Sequence, residues 1–302
     1  LQGNLRDTIS SIFNQPTKCN NMELQLQEIR EQQKASWNKS SPGWKKWDDM
    51  TMDFLQPFGD AIINALHLQD GYHVLDVAAG TGEPGLTIAS KIRNGKVMIT
   101  DLSDEMLVIA HANAQRAGLR NVEFSVCDVC ELPFDDNSFD AISCRMGFMF
   151  FPDMLLAAKE MLRVLKPGGK IAASVWSGPE KNGWFTAAMS TVKNNVELPV
   201  PAPGSPGMFR CAKDGLIAGL FEEAGFSNIT QIELPGKLNC KTADTYWSFA
   251  SEVVGPVVSA LAQADTETKE KIKSEIIQLI NQTYPEGNVS IPSSAYIISG
   301  TK

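Results

Sequence analysis

The sequence predicts an α/β fold built on a mostly parallel sheet with helices on both faces. Three observations carry this. From Tyr72 to Trp176, short runs of β-forming residues alternate with helical stretches, the pattern of parallel strands joined by crossover helices. Val74–Gly85, VLDVAAGTGEPG, passes from a strand through a glycine turn into a helix start. Lys166-Pro167-Gly168-Gly169 stops a helix and turns the chain into a further strand. The 302 residues suffice for one large domain with additions or for two small ones.

The elements follow in order. Residues 1–70 read as helical: Met22–Ser36 holds good helix formers, and Phe58–Leu68 forms a second helix that ends before Asp70-Gly71. Between them lies a patch of Trp37, Trp44, Trp47, Met50, Met52, Phe54 and Phe58. Strands are predicted over Tyr72–Ala78, Lys96–Leu102, Val122–Cys127, Phe139–Arg145 and Lys170–Trp176. Helices are predicted over Gly85–Ile92, Asp104–Ala117 and Met154–Leu165. Beyond Trp176 the alternation lapses. Trp184–Asn194 and Asp214–Ala224 read as helices, with a proline-rich loop over Leu198–Phe209 between them. Asn228–Leu234 and Ala295–Ser299 read as strands, separated by helices over Thr242–Ala262 and Thr266–Gln282.

The glycine turn is a nucleotide-type loop. Glycine lets backbone approach a ligand closely, and free N–H groups at a helix start favour electron-rich groups. Gly80, Gly82 and Gly85 satisfy G-x-G-x-x-G, the dinucleotide fingerprint, which leaves an NAD-dependent oxidoreductase as one alternative. Two residues argue against it. Asp76, on the strand before the turn, would face a pyrophosphate unfavourably but would suit an ammonium group. Pro84 removes an N–H near the helix start. A cofactor with an α-amino group fits better, which points to S-adenosyl-L-methionine.

At Val74–Gly85 the chain resembles the class I S-adenosylmethionine-dependent methyltransferases, whose first motif is an acidic residue followed by a G-x-G turn. Leu75–Gly82, Phe139-Asp140 and Leu165–Gly169 narrow the resemblance to the small-molecule methyltransferases of the ubiquinone/menaquinone-biosynthesis type. The resemblance implies a seven-strand Rossmann-like methyltransferase sheet, mostly parallel with the last strand antiparallel. It also implies three regions: an N-terminal helical cover (1–70), a cofactor-binding core (71–176), and a substrate-pocket insert with the last two strands of the same sheet (177–302).

Site residues follow from motif and resemblance together. Asp76, Ala78, Gly80, Thr81, Gly82 and Pro84 are expected around the amino-acid end of the cofactor. Asp101, with Leu102 and Met106 beside it, ends the second strand, where a carboxylate accepts from vicinal ribose hydroxyls. Asp128 and Val129 match the family position that meets adenine. Arg145 and Met146 end the fourth strand, close to the methylthio group. Arg145 would either hold a substrate carboxylate or pair with a neighbouring acid. The N-terminal aromatics would either pack on the core or cover the cofactor, with Trp47 favoured over Trp44 as the covering ring, since a sulfonium near a ring gains cation–π attraction.

Composition excludes some readings. A net charge of −8 with no block of Lys and Arg disfavours nucleic acid, and no Asn/Asp-Pro-Pro-aromatic motif stands at Cys144-Arg145-Met146-Gly147. No apolar run is long enough to span a membrane, no signal peptide is recognised, and a cytoplasmic protein is expected. Cys127-x-x-Cys130 lacks a second pair, so no metal is expected and the thiols read as free. No catalytic base declares itself, because His67, His73 and His111 fall away from the strand carboxyl ends. The reading is methyl transfer to O, N or C of a small apolar or aromatic acceptor, with a non-catalytic binding subunit as a further alternative. The sequence leaves the oligomeric state open.

Overall fold

A computed structural model describes residues 18–200, 202 and 204–302, with side chains described from Glu23 onward. The first seventeen residues of the expected cover, the side chain of Cys19, and Pro201 and Pro203 of the expected loop lie outside the described residues.

The chain begins with α1 (Lys18–Lys46) and α2 (Asp48–Leu66). An alternating stretch follows: β1 (His73–Val77), α3 (Gly85–Lys91), β2 (Lys96–Asp101), α4 (Asp104–Arg116), β3 (Val122–Val126), β4 (Phe139–Arg145), α5 (Met154–Val164) and β5 (Leu165–Trp176). After it come α6 (Gly183–Asn195), α7 (Leu216–Ala224), β6 (Ser227–Lys241), α8 (Ala243–Val253), α9 (Gly255–Gln263), α10 (Thr266–Thr283) and β7 (Val289–Thr301). The strands form one seven-stranded sheet in the order β3-β2-β1-β4-β5-β7-β6. Strands β1 to β5 are parallel, and β7 runs antiparallel between β5 and β6. The inner strands are continuous apolar runs, as strands covered on both faces require: Val74, Leu75, Ala141, Ile142, Ile171, Ala172 and Ala173 are all fully buried.

Five expected elements differ in extent from the sequence reading. The helix expected from Phe58 begins ten residues earlier at Asp48 and runs through Pro57. Proline removes one backbone donor there, and burial of Phe54, Phe58, Ile62 and Leu66 on the sheet outweighs it. Helix α1 likewise continues through Pro42. Gly43 lets it dock on the end of α8, since a Cβ there would collide with the Glu252 carbonyl. The helix expected over Thr242–Ala262 is two helices: Val254 is extended between them, and Pro256, with no N–H to continue α8, stands in the first turn of α9. Finally, β6 and β7 are far longer than expected, 15 and 13 residues. They pair along almost their whole length, from Ser227 opposite Thr301 to Lys241 opposite Val289. That pairing is non-local, so alternation within each short run understated it.

The core element that positions the site is aromatic. Phe54 of α2 stacks on Trp176 at the end of β5, with ring centroids 5.6 Å apart, and meets Trp184 of α6 edge-on at 5.2 Å. Trp176 and Trp184 are 4.9 Å apart. The N-terminal helices, the sheet and the post-β5 insert therefore meet at one end of the sheet, the carboxyl ends of its parallel strands.

Candidate active site

A cavity of about 340 Å³ opens at that end, a size suited to a small molecule. One side of it is a shelf of strand ends. Ala78 follows β1 with φ 52°, and Met146 follows β4 with φ 59°. Neither is glycine, and left-handed backbone at such residues concentrates at functional sites, where surrounding structure holds it in place. Gly80 (φ +57°) also lines the cavity, and a Cβ there would meet nothing within 4 Å. The backbone is thus open to a ligand at the first glycine of the turn.

Asp101 stands in the middle of the shelf. Its Oδ2 accepts from the Gly80 N–H at 2.8 Å and its Oδ1 accepts from the Ser103 N–H at 2.8 Å. The carboxylate ties the glycine turn to the start of α4, whose N-cap is the Ser103 hydroxyl, accepting from Met106 N–H. Burial raises its pKa above the ordinary carboxylate value. Each oxygen keeps a lone pair for a further donor. Asp128 lies beyond it at the end of β3. Its Oδ1 accepts from the Cys130 N–H at 2.9 Å, and its Oδ2 is ion-paired with Arg30 of α1.

Ten of the fourteen sequence-predicted cofactor residues line this cavity: Ala78, Gly80, Thr81, Asp101, Leu102, Met106, Asp128, Val129, Arg145 and Met146. Four do not. Asp76, expected to face the cofactor's ammonium, is fully buried behind the shelf and does not line the cavity. The Gly85 N–H donates to Oδ2 at 2.8 Å and the Ser143 hydroxyl donates to Oδ1 at 2.6 Å, so it pins the first turn of α3 to β1 and β4. Gly82 and Pro84 sit behind the wall as turn formers, with Leu86 and Ala110 packed where a Gly82 side chain would lie. Trp47 also points elsewhere. Its Nε1 donates to Glu252 at 2.9 Å and its ring packs edge-on against Phe249. The aromatic residues of α1 that reach the cavity are Trp37 and Trp44, stacked edge to face, with Trp37 also against Phe150.

Sequence reasoning missed several wall residues. Glu83 follows the glycine turn and lines the cavity. Trp176 at the end of β5, with Trp184, Met208 and Phe249, makes part of the wall apolar. Arg30 was overlooked because its partner is about a hundred residues away in sequence, a pairing no local pattern announces. Buried Asn182 likewise accepts from the distant Ser294 N–H at 3.1 Å, and its Oδ1 also accepts from Nε1–H of nearby Trp184 at 3.0 Å. None of the three histidines lines the cavity; His73 packs on Phe139 at the opposite end of β4.

Asp76 makes a testable difference to stability. Burial pushes its carboxyl from 3.8 up to about 7. The folded state therefore holds a proton that the unfolded state has released above its own value. This contribution is full in acid and fades as pH rises through about 7. Asp76→Asn carries no titrating group, so its melting temperature is expected to fall less than that of the wild type from about pH 5 to 8. Asp101 shifts in the same direction and remains in the variant, so the slope shrinks rather than disappears. Parallel curves for the two proteins would remove Asp76 as the cause.

The residues fit a nucleoside bearing a flexible polar tail. The turn opens its backbone at Gly80, two carboxylates lie along the shelf, and the Thr81 hydroxyl is buried in the wall without a partner. A five-strand parallel core completed by β7 between β5 and β6, with this turn after β1 and an acid at the end of β2, defines the class of S-adenosylmethionine-dependent methyltransferases. The chain belongs to the ubiE/COQ5 methyltransferase family, whose family model matches residues 45–197. It is 35% identical over 187 residues to a demethylmenaquinone methyltransferase of Listeria monocytogenes, covering 57% of this chain and 76% of that protein. Against the demethylmenaquinone methyltransferase of Bacillus subtilis it is 30% identical over 201 residues, 61% of this chain and 79% of the relative. The YcgJ protein of Bacillus subtilis shares the fold, with a TM-score of 0.55 at 20% identity over 82% of this chain and 98% of its own. The cofactor of this enzyme is S-adenosyl-L-methionine, and the dinucleotide alternative falls away. Among the described residues no helix is long and apolar enough to cross a membrane.

Proposed function

We propose that this methyltransferase acts on a small apolar aromatic acceptor of the quinol type, held in the same cavity as its cofactor. The observation that carries the reading is the aromatic lining, where Trp37, Trp44, Phe54, Trp176, Trp184 and Phe249 bound the cavity at the strand ends. Such a wall offers flat rings to a flat acceptor and few groups to a strongly polar one. The name shared by the Listeria and Bacillus relatives points to the same chemical class.

S-adenosylmethionine supplies an electrophilic methyl group on a sulfonium that departs readily. The task left to the protein is alignment and exclusion of water. In this reading the Ala78–Thr81 backbone receives the amino-acid end and Asp101 accepts from the ribose hydroxyls. Asp128 and Val129 meet the adenine edge, with Arg30 steadying Asp128. Met106 and Leu102 pack beside the nucleoside. Residues 1–70 act as the cover, through Trp37 and Trp44 rather than Trp47, and residues 177–302 shape the acceptor pocket. Proton removal from an acceptor hydroxyl falls to water or to a lining carboxylate, since no imidazole lies in the cavity.

Incubation with S-adenosylmethionine and a short-chain reduced demethylnaphthoquinone, followed by mass spectrometry, tests this. The expected product is heavier by one methylene, and its fragmentation shows whether carbon or oxygen carries the methyl. Turnover of a polar aliphatic amine with none of the quinol would overturn the acceptor assignment and leave the family unchanged.

A further inference from the structure

Arg145 is the least satisfied charge in the cavity. It ends β4, lines the cavity, and burial pulls its pKa down. Among the described residues it closes no ion pair; its guanidinium meets only the Met52 thioether, at 3.6 Å from Nη2. The acids nearest in effect are Glu83, Asp76 and Asp48, and each is engaged elsewhere. Glu83 accepts from the Thr87 N–H at 3.2 Å, Asp76 is spent on Gly85 and Ser143, and Asp48 pairs with Arg116. Among the described residues, therefore, no neighbouring acid closes an ion pair with Arg145, although these three attract it from a distance.

A half-buried guanidinium on a cavity wall has five fixed N–H donors and does not shed its proton, so it offers charge and fork geometry to an acceptor in the cavity. The same group in an otherwise apolar cavity attracts a planar oxyanion strongly, because little water screens it. Its position adds direction. Its aliphatic stem and one terminal nitrogen lie over Gly59 of α2, beside Pro84 of the glycine turn, with Gly59 leaving the space clear. The charge thus sits between the turn and the aromatic wall.

We propose that Arg145 is the oxyanion receptor of this cavity, completed by a carboxylate or ionised oxygen carried by a bound small molecule. Two sources share that chemistry: the carboxylate at the amino-acid end of the cofactor, and an ionised oxygen of the acceptor. The inference rests on the cavity being the seat of both molecules. In the second case a cation beside the acceptor oxygen lowers its pKa, and the ionised acceptor forms without a dedicated base.

The test is calorimetric titration of the full chain and of Arg145→Met and Arg145→Lys. Three probes are used: S-adenosylhomocysteine, methylthioadenosine (the same nucleoside and thioether without the amino acid), and naphthoate added to homocysteine-nucleoside-loaded protein against its neutral carboxamide. If the cofactor supplies the anion, Arg145→Met weakens S-adenosylhomocysteine at least about tenfold and leaves methylthioadenosine unchanged. If the acceptor supplies it, both nucleosides bind as before and the preference for naphthoate over the carboxamide is lost. Arg145→Lys is expected to keep part of either effect, as a point charge in place of a fork. The unliganded Arg145→Met protein is expected to melt no lower than the wild type, since it loses a half-buried charge that closes no ion pair; a merely structural arginine would lower it. Arg145→Met with all three probes unchanged would overturn the proposal. A wild-type protein that binds neither nucleoside would instead overturn the cavity assignment beneath it.

Discussion

Asp101→Ala is expected to lose at least about a hundredfold in affinity for S-adenosylhomocysteine, through two effects that add. The first is direct: in the placement proposed above, two ribose hydroxyls lose a charged acceptor, at about 1.5–3 kcal/mol each. The second is structural. The carboxylate holds the Gly80 N–H and the Ser103 N–H at 2.8 Å each, so its removal frees the glycine turn and unsettles the N-cap of α4. Asp101→Asn separates the two. It keeps one acceptor oxygen at nearly the same shape but no charge, and its loss is expected to be smaller. Calorimetric titration gives both affinities, and thermal melting without ligand gives the cost to the turn. Unchanged affinity in a folded Asp101→Ala protein would place the ribose elsewhere in the cavity.

Asn182→Ala is expected to destabilise the fold by about 3–5 kcal/mol, near the upper end for a single substitution. This side chain is fully buried, and it is satisfied on both sides. Its Oδ1 accepts from Trp184 Nε1 at 3.0 Å and from the Ser294 N–H at 3.1 Å. Its Nδ2 donates to the carbonyls of Ser294 and Gly178, each at 3.0 Å. Alanine leaves two donors, Trp184 Nε1–H and the Ser294 N–H, without this acceptor, while the Ser294 and Gly178 carbonyls keep the N–H groups of Ser177 and Lys181. It also releases Trp184, a cavity wall residue packed against Trp176 and Phe54. The weakening is expected to reach the binding of an apolar acceptor as well as denaturant unfolding. Asn182→Asp retains the acceptor but turns a donor toward carbonyls into a carboxylate, so it is expected to be destabilised too. A midpoint within about half a kcal/mol of the wild type for Asn182→Ala would show that water or a local shift replaces the network.

Where local physics decides, sequence and structure agree. The glycine turn, Asp101 and Asp128 at strand ends, and Arg145-Met146 after β4 each depend on a few neighbouring residues: a strand that stops, a turn that needs φ > 0, a helix that needs a cap. Strand ends converge because parallel strands joined by crossover helices must run the same way. Ten residues chosen on that basis line one cavity.

Beyond that neighbourhood, local pattern misled. Asp76 is the instructive case. Its place before the glycine turn says that a carboxylate belongs there; it does not say which way it points. The side chains of a strand alternate between faces, and at Asp76 the inward face met Gly85 N–H and the Ser143 hydroxyl, 9 and 67 residues away. The tryptophans of the N-terminal patch show the same limit. Trp44 and Trp47 are adjacent on the sequence scale, yet one enters the cavity and the other is drawn to Glu252 of α8.

The sequence by itself determined the sheet's parallel core, the cofactor class and the strand ends at which chemistry gathers, because all of these follow from periodicity and turn geometry within short windows. Only the tertiary structure decided which side chains face the cavity, the pairing of Arg30 with Asp128, the isolation of Arg145 among engaged acids, and the hold of Asn182 on Ser294. Each of those depends on contacts between residues far apart in the chain, where burial and hydrogen-bond satisfaction of the whole fold, and not local propensity, set the lowest free energy.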